Sequence, residues 1–203
     1  MRLRRFAPVS LVLALNLAGC GTTALDVHYP EQGVNRALLA SIAPRRVLID
    51  HVADRRPDTT RVGIRPGGGG DIVTSRPVPD IVREALDLEM SKNGLQVVSD
   101  RAEVVLRPAV ELFSLEAVHG YGNWQYVGRV VITVSVADGR TGDTLLTRRY
   151  VGLRRRDVDK PDESQWREVM DTALARAMHD LATDQELVAA LSGTRPPSTT
   201  SAG

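Results

Sequence analysis

A chain of 203 residues with 26 basic side chains, 25 acidic ones and a formal net charge of +1 is long enough for one domain of ordinary size around its own core. Its single cysteine excludes an internal disulfide and a cysteine-rich zinc site, so stability has to come from apolar burial. The near balance of charge leaves nonspecific nucleic-acid binding by charge alone without support.

The chain opens with Arg2, Arg4 and Arg5, then a run from Val9 to Leu17, with no acidic residue before Asp26. The run is shorter than the roughly 20 apolar residues a spanning helix needs, and it ends in small residues as a secretory signal does. Leu17-Ala18-Gly19-Cys20 resembles the lipobox of bacterial lipoproteins. That resemblance implies a signal peptide over 1–19, cleavage between Gly19 and Cys20, diacylglycerol on the Cys20 thiol and an N-acyl chain on the new amine. The residue type suits the chemistry, because a thiolate is the side-chain nucleophile able to form the thioether near neutral pH. Removing 1–19 takes away three arginines and no acid, which moves the formal charge from +1 to −2. Gly21 stands where an Asp would favour retention in the inner membrane of enterobacteria, so the expected location is the outer membrane, periplasmic face.

Residues 20–44 read as the lipidated cysteine and a tether, with room for one ordered strand around Leu25 to Tyr29. Residues 45–192 read as the folded domain, and 193–203, all small, polar or proline residues beyond Gly193, as a disordered tail. Within the domain, Arg46 to Val52 predicts a first strand. Arg61 to Arg65 and Asp71 to Ser75 predict two short strands around a Pro66 to Gly70 hairpin tip. Ile81, Val82, Ala85, Leu86 and Met90 recur at helical spacing after Pro79, and Asn93-Gly94 predicts the stop. Gln96 to Ser99 predicts a short strand.

The second half alternates. Val104, Leu106, Val110 and Leu112 share one face of an extended stretch, with Pro108 marking an edge or a bulge. Val130, Ile132, Val134 and Val136 follow, and Asp138 to Asp143 turns the chain into a strand from Thr144 to Leu153. Trp166, Val169, Met170, Ala173, Leu174, Ala177 and Leu181 predict an amphipathic helix beginning near Pro161-Asp162. Thr183 with Glu186 predicts a capping box for a last short helix, Leu187 to Leu191. The fold class is α+β: a single antiparallel, or mixed, sheet with two main helices packed on one face.

The order of lipobox, linker, Asp54-Arg55-Arg56, Val62-Gly63, a helix closing on Met90-Ser91-Lys92-Asn93-Gly94-Leu95, long strands and Asp184-Gln185-Glu186-Leu187 resembles the YajG-type bacterial envelope lipoproteins. The layout is also similar to PqiC-like auxiliary lipoproteins of lipid-handling ABC transporters. Neither resemblance implies a catalytic residue or a cofactor beyond the acyl groups on Cys20. They imply a non-enzymatic binding or scaffold domain, or a transport accessory, whose partners are the membrane through its lipid anchor and an envelope protein or lipid.

The residues show no other chemistry. His28, His51, His119 and His179 are scattered, no serine sits in a G-x-S-x-G elbow, and Gly67 to Gly70 lacks the lysine of a phosphate-binding loop. Asp54-Arg55-Arg56-Pro57-Asp58 reads as an ion-paired loop. Two stretches stand out as partner contacts. Tyr121, Trp124 and Tyr126 cluster on an expected hairpin tip, either facing a partner or folding back over the sheet. Arg148, Arg154 and Arg156 fall on one side of a strand, either holding an anionic partner or balanced by nearby Asp and Glu.

Overall fold

The computed structural model describes residues 21–30, 38–42, 44–120, 123–159 and 162–193. Three long strands form its backbone: β7 (Val104–His119), β8 (Trp124–Asp138) and β9 (Thr144–Val158), antiparallel and in register along almost their whole length. They arise where the sequence alternates most cleanly, and two short turns join them. Pro108 lies inside β7 opposite Val134. Leu106 and Val110 turn their carbonyls outward, to the amides of Asp50 and Arg55. By alternation the missing Pro108 donor falls on the same outer edge, where no ladder bond is required. The bulge comes two residues later, between Val110 and Leu112.

At other points along this same outer edge β7 carries three short strands in chain order, all parallel to it. β2 (Arg46–Ile49) pairs at 104–106, β3 (Ala53–Asp54) at 109–110 and β4 (Gly63–Ile64) at Leu115. β5 (Asp71–Thr74) pairs antiparallel with β4, β1 (Thr23–Leu25) parallel with β5, and β6 (Gln96–Val97) parallel with β2. The sheet is therefore mixed, with nine strands, and not purely antiparallel. The parallel pairs of β2, β3 and β4 with β7 and of β2 with β6 are reached by a long crossover through helix α1 (Val78–Lys92), as parallel pairing demands, whereas β1 reaches β5 through the residues between 25 and 71.

α1, α2 (Glu163–Ala182) and the short α3 (Gln185–Leu191) cover one face, the two main helices and the short last one that the sequence predicts. Their apolar stripes are the predicted ones: Ile81, Val82, Ala85, Leu86 and Met90 on α1, and Trp166, Val169, Met170, Ala173, Leu174, Ala177 and Leu181 on α2, are all buried. Asp162 caps α2 by accepting from the Ser164 amide at 2.9 Å. The cap of α3 is Asp184, which accepts from the Glu186 amide at 2.9 Å. Thr183 closes α2 instead, donating to the His179 carbonyl at 2.8 Å. α2 lies directly on the sheet because Gly128 and Gly152 have no Cβ. A Cβ on Gly128 would stand 2.8 Å from Val169 Cγ1, and one on Gly152 would collide with the Ala173 carbonyl.

The expected tether is not separate from the domain in its described parts. Leu25 and Val27 are core residues, and Leu39 of a short 3-10 turn (Leu38–Ile42) is fully buried. The Tyr29 hydroxyl donates to the carboxylate of Glu89, which is itself completely buried and also accepts from Lys92 Nζ at 2.6 Å and Asn93 Nδ2 at 3.0 Å. Burial, then the Glu89 carboxylate, push the Tyr29 phenol well above its ordinary range. The His28 amide donates to Asp171 on α2 at 2.9 Å, and Asp26 accepts from Ser75 at 2.8 Å. The segment carries too few residues to show a period, and its partners lie 49 to 143 positions away in sequence. The expected signal peptide over 1–19, Cys20 and the expected tail from 194 lie outside the described residues.

Candidate functional site

Because the helices share one face, the other face of β7, β8 and β9 carries no helix among the described residues. Cross-strand register arranges its side chains in rows. Leu112, Val131 and Val151 form an apolar strip across the three strands; Ser114, Arg129 and Leu153 form the next row, then Glu116, Val127 and Arg155. Val151 is 48% exposed and Leu112 half-buried, while Val131 between them is only 4% exposed. Charge pairs flank the strip. Glu111 accepts from Thr133 Oγ1 at 2.6 Å and Arg149 Nε at 3.1 Å, and Arg129 donates to Glu116 at 3.0 Å.

A groove of about 490 Å³ continues this face past the outer edge of β7. Its floor holds Leu112, Ser114, Glu116 and Val118 from β7, and its far wall Val62 and Ile64. Ile64 and Val118 are about half exposed, at 48% and 50%. The groove exists because β4 pairs with β7 only at Leu115, so that the Glu116 to His119 edge has no strand beside it among the described residues.

The loop closing the groove is tied by Arg56. Its guanidinium is 5% exposed and holds Asp54 through two bonds, Nε to Oδ1 at 2.9 Å and Nη2 to Oδ2 at 2.8 Å, and it also donates to the carbonyls of Thr59 and Arg61. These Arg56 bonds keep the Asp54 carboxyl below its usual range. Asp58 is held low by the Thr60 hydroxyl and amide and pairs with Arg61 at 2.9 Å. The Asp54 to Asp58 motif is thus an ion-paired loop.

The residues singled out in sequence fall differently. Tyr121 lies outside the described residues. Trp124 is half-buried and meets His119 edge to face, ring centroids 4.5 Å apart. Tyr126 is completely buried and packs edge to face on Trp166 at 6.0 Å, so it covers the core and does not face a partner. It is in phase with Val130, Ile132, Val134 and Val136, and extending that alternation backward through Gly128 would have placed it inside. Arg148, Arg154 and Arg156 do share one side, but it is the helix side, in phase with buried Tyr150 and Gly152. All three are engaged: Arg148 with Glu186 at 3.1 Å and Asp184 at 3.4 Å, Arg154 with Glu168 at 3.6 Å, and Arg156 with Glu168. They are joined to helix carboxylates and not displayed to an anion. Leu112, expected on one face with Val104, Leu106 and Val110, is turned to the opposite face by the bulge after Val110, and Ile64 and Val118 carried no signal of their own, since the gap beside β4 that exposes them depends on long-range pairing.

Among the described residues no group of three or more His, Cys, Asp or Glu could hold a metal ion, and no helix is long and apolar enough to cross a membrane. Comparison with curated proteins gives no match. Among solved structures, XCC0632 from Xanthomonas campestris, of the DUF330 family model, superposes with a TM-score of 0.56 at 12% identity, covering 80% of this chain and 92% of that one. A minor lipoprotein from Acinetobacter baumannii gives 0.41 at 16% identity, covering 73% and 93%. The first likeness shows the fold and no more. A family model described as "uncharacterized lipoprotein" matches residues 46–192, from the start of β2 to the end of α3, and the chain belongs to that lipoprotein family.

Proposed function

We propose that this lipoprotein is acylated at Cys20, anchored to the outer membrane on its periplasmic face, and binds an envelope partner through the uncovered sheet face and its groove, without chemistry of its own. The observation that carries the reading is the helix-free face of three strands, 15 or 16 residues each, with an apolar strip, charged margins and a continuous groove. Apolar centres with polar rims are the anatomy of protein interfaces. The lipobox resemblance supports the anchor, and Gly21 supports the outer membrane. The YajG-type resemblance fits the same reading.

A photoreactive amino acid placed at Val151 or at Val118 in intact cells tests it. The expected result is a discrete adduct from both positions and none from Asp87, which lies on α1. Adducts with subunits of a lipid-handling ABC transporter would instead assign the auxiliary-lipoprotein role. Equal labelling from all three positions, or none from the sheet face of folded protein, rejects this face as the partner site.

A further inference from the structure

The chain enters its fold immediately after Cys20. Gly21 lies against the β4–β5 turn: a Cβ on Gly70 would collide with the Gly21 carbonyl, and a Cβ on Gly21 would stand 3.6 Å from Arg65 Nη1. Two residues on, Thr23 is already paired with Ile72. Successive Cα atoms are about 3.8 Å apart, and three residues span at most about 11 Å. The first described residue, Gly21, and with it the start of the link to Cys20, therefore lies beside the Pro66 to Gly70 tip.

Register fixes where that tip lies. β4 runs parallel to β7 and pairs with it at Leu115, so the 65–70 turn projects toward the end of β7. The β7–β8 hairpin closes at this same end, with the Gly120 amide bonded to the Asn123 carbonyl at 2.8 Å and Trp124 against His119. β9 finishes here too, Val158 opposite Trp124, and Arg65 reaches Glu163 at the start of α2, 3.6 Å away. The Asp138 to Asp143 turn is at the far end.

We propose that this end is the membrane-facing end of the molecule: the β4–β5 tip rests on the phospholipid headgroups with the Trp124 end of β8 beside it, and the long strands run away from the bilayer. The proposal rests on the acyl anchor at Cys20 advanced above. Several acyl chains on one residue hold its Cα at the edge of the hydrocarbon, each buried CH₂ contributing about 0.8 kcal/mol. The polar region outside the hydrocarbon is about 5–8 Å deep on each side, and Gly21, which already touches Gly70 of the tip, is a single step of about 3.8 Å from Cys20, too short to hold the tip clear of it. The tip suits close approach. A Cβ at Gly67, Gly68 or Gly69 would have no atom within 4 Å, so the turn presents backbone alone to the headgroups. Trp124 supplies the ring type enriched at membrane–water boundaries. Exposed Asp157, Asp159, Asp162 and Glu163 surround the same end. Attraction to anionic lipid is thus not the cause, and the contact is imposed by the short link.

The test uses the full acylated protein in vesicles of phosphatidylethanolamine and phosphatidylglycerol. With Cys20 acylated, Gly69→Cys or Asp143→Cys supplies the only thiol, labelled with an environment-sensitive fluorophore and exposed to lipids carrying a nitroxide quencher near the headgroup. Quenching several-fold stronger at 69 than at 143 is expected, unchanged when the anionic lipid is halved. Inserting about 12 Gly/Ser residues between Gly21 and Thr22, a flexible span of about 20 Å, should abolish that difference while the protein still floats with the vesicles. Equal quenching at both sites, stronger quenching at 143, or a difference that survives the insertion overturns the orientation. Failure to float with the vesicles, with no acyl mass on Cys20, would instead remove the anchor itself and the orientation with it.

Discussion

Gly152→Ala isolates the contact on which the helix layer depends. Gly152 lies in the middle of β9, opposite Val130, and faces Ala173 and Ala177 of α2. A Cβ there would collide with the Ala173 carbonyl and stand 2.8 Å from the Ala177 amide nitrogen and 2.9 Å from the Ala173 carbonyl carbon. All three are backbone atoms of a helix interior, so no side chain can rotate away, and relief requires lifting α2 off the sheet. That would loosen Val169, Met170 and Leu174, all completely buried. Overpacking a core typically costs about 1–3 kcal/mol, and the rigid backbone neighbours place this site at the top of that range. For a domain of this size about 3 kcal/mol lowers the midpoint by roughly 6–12 °C. Thermal unfolding followed by circular dichroism, with urea titration showing an unchanged slope, measures it. Gly69→Ala is the control: its Cβ would meet nothing within 4 Å, and the change should leave the midpoint level or slightly higher. A Gly152→Ala midpoint within about 2 °C of the parent would refute the close-packed sheet–helix contact.

Tyr126→Phe should stabilise by up to about 1 kcal/mol, because the buried Tyr126 hydroxyl has no hydrogen-bond partner among the described residues while its ring still packs on Trp166; a loss of stability would show the hydroxyl to be bonded. Arg56→Ala should cost about 3 kcal/mol by leaving the Asp54 carboxylate and the Thr59 and Arg61 carbonyls without their shared donor, read as a lowered urea midpoint. Burial above all raises the Asp171 pKa, so ionising it costs more in the folded chain than in the unfolded one. That cost is absent below the unfolded pKa of about 3.9, grows as pH rises toward the folded pKa and is full above it. Asp171→Asn, which keeps an acceptor for the His28 amide, should therefore raise the midpoint at pH 7, with the gain vanishing below about pH 4; a gain independent of pH would refute the cause. Cys20→Ser should leave an unprocessed chain that takes up no labelled fatty acid, since a hydroxyl is a far weaker nucleophile.

Elements whose stabilising partners are close in sequence were readable there. α1 and α2 combine an apolar stripe with local stop and start residues, and β7 to β9 form two hairpins whose alternation needs no distant information. The short strands differ. β3 and β4 have two residues each and β1 has three, too few for a period, and their existence depends on edges offered by β7 and β5. For the same reason the N-terminal segment reads as a linker although Leu25 and Val27 are core.

Functional residues were misplaced by a related cause. Charge and aromaticity were weighed residue by residue, whereas burial follows strand phase. Tyr126 shares its phase with the Val130 to Val136 series, and Arg148, Arg154 and Arg156 share theirs with Tyr150 and Gly152. The alternation that identified these strands therefore already assigned those side chains to the side the helices cover. What it could not assign is which apolar residues stay uncovered. Val151, 48% exposed, lies in the opposite phase, and whether such a phase is solvent or second core depends on whether another layer exists. Every amphipathic helix in the described chain is used on the first face, so the second keeps an apolar strip without a layer of its own. A sheet face in that condition is complete only with something the chain does not supply, which is why the partner is sought there and not at the arginines.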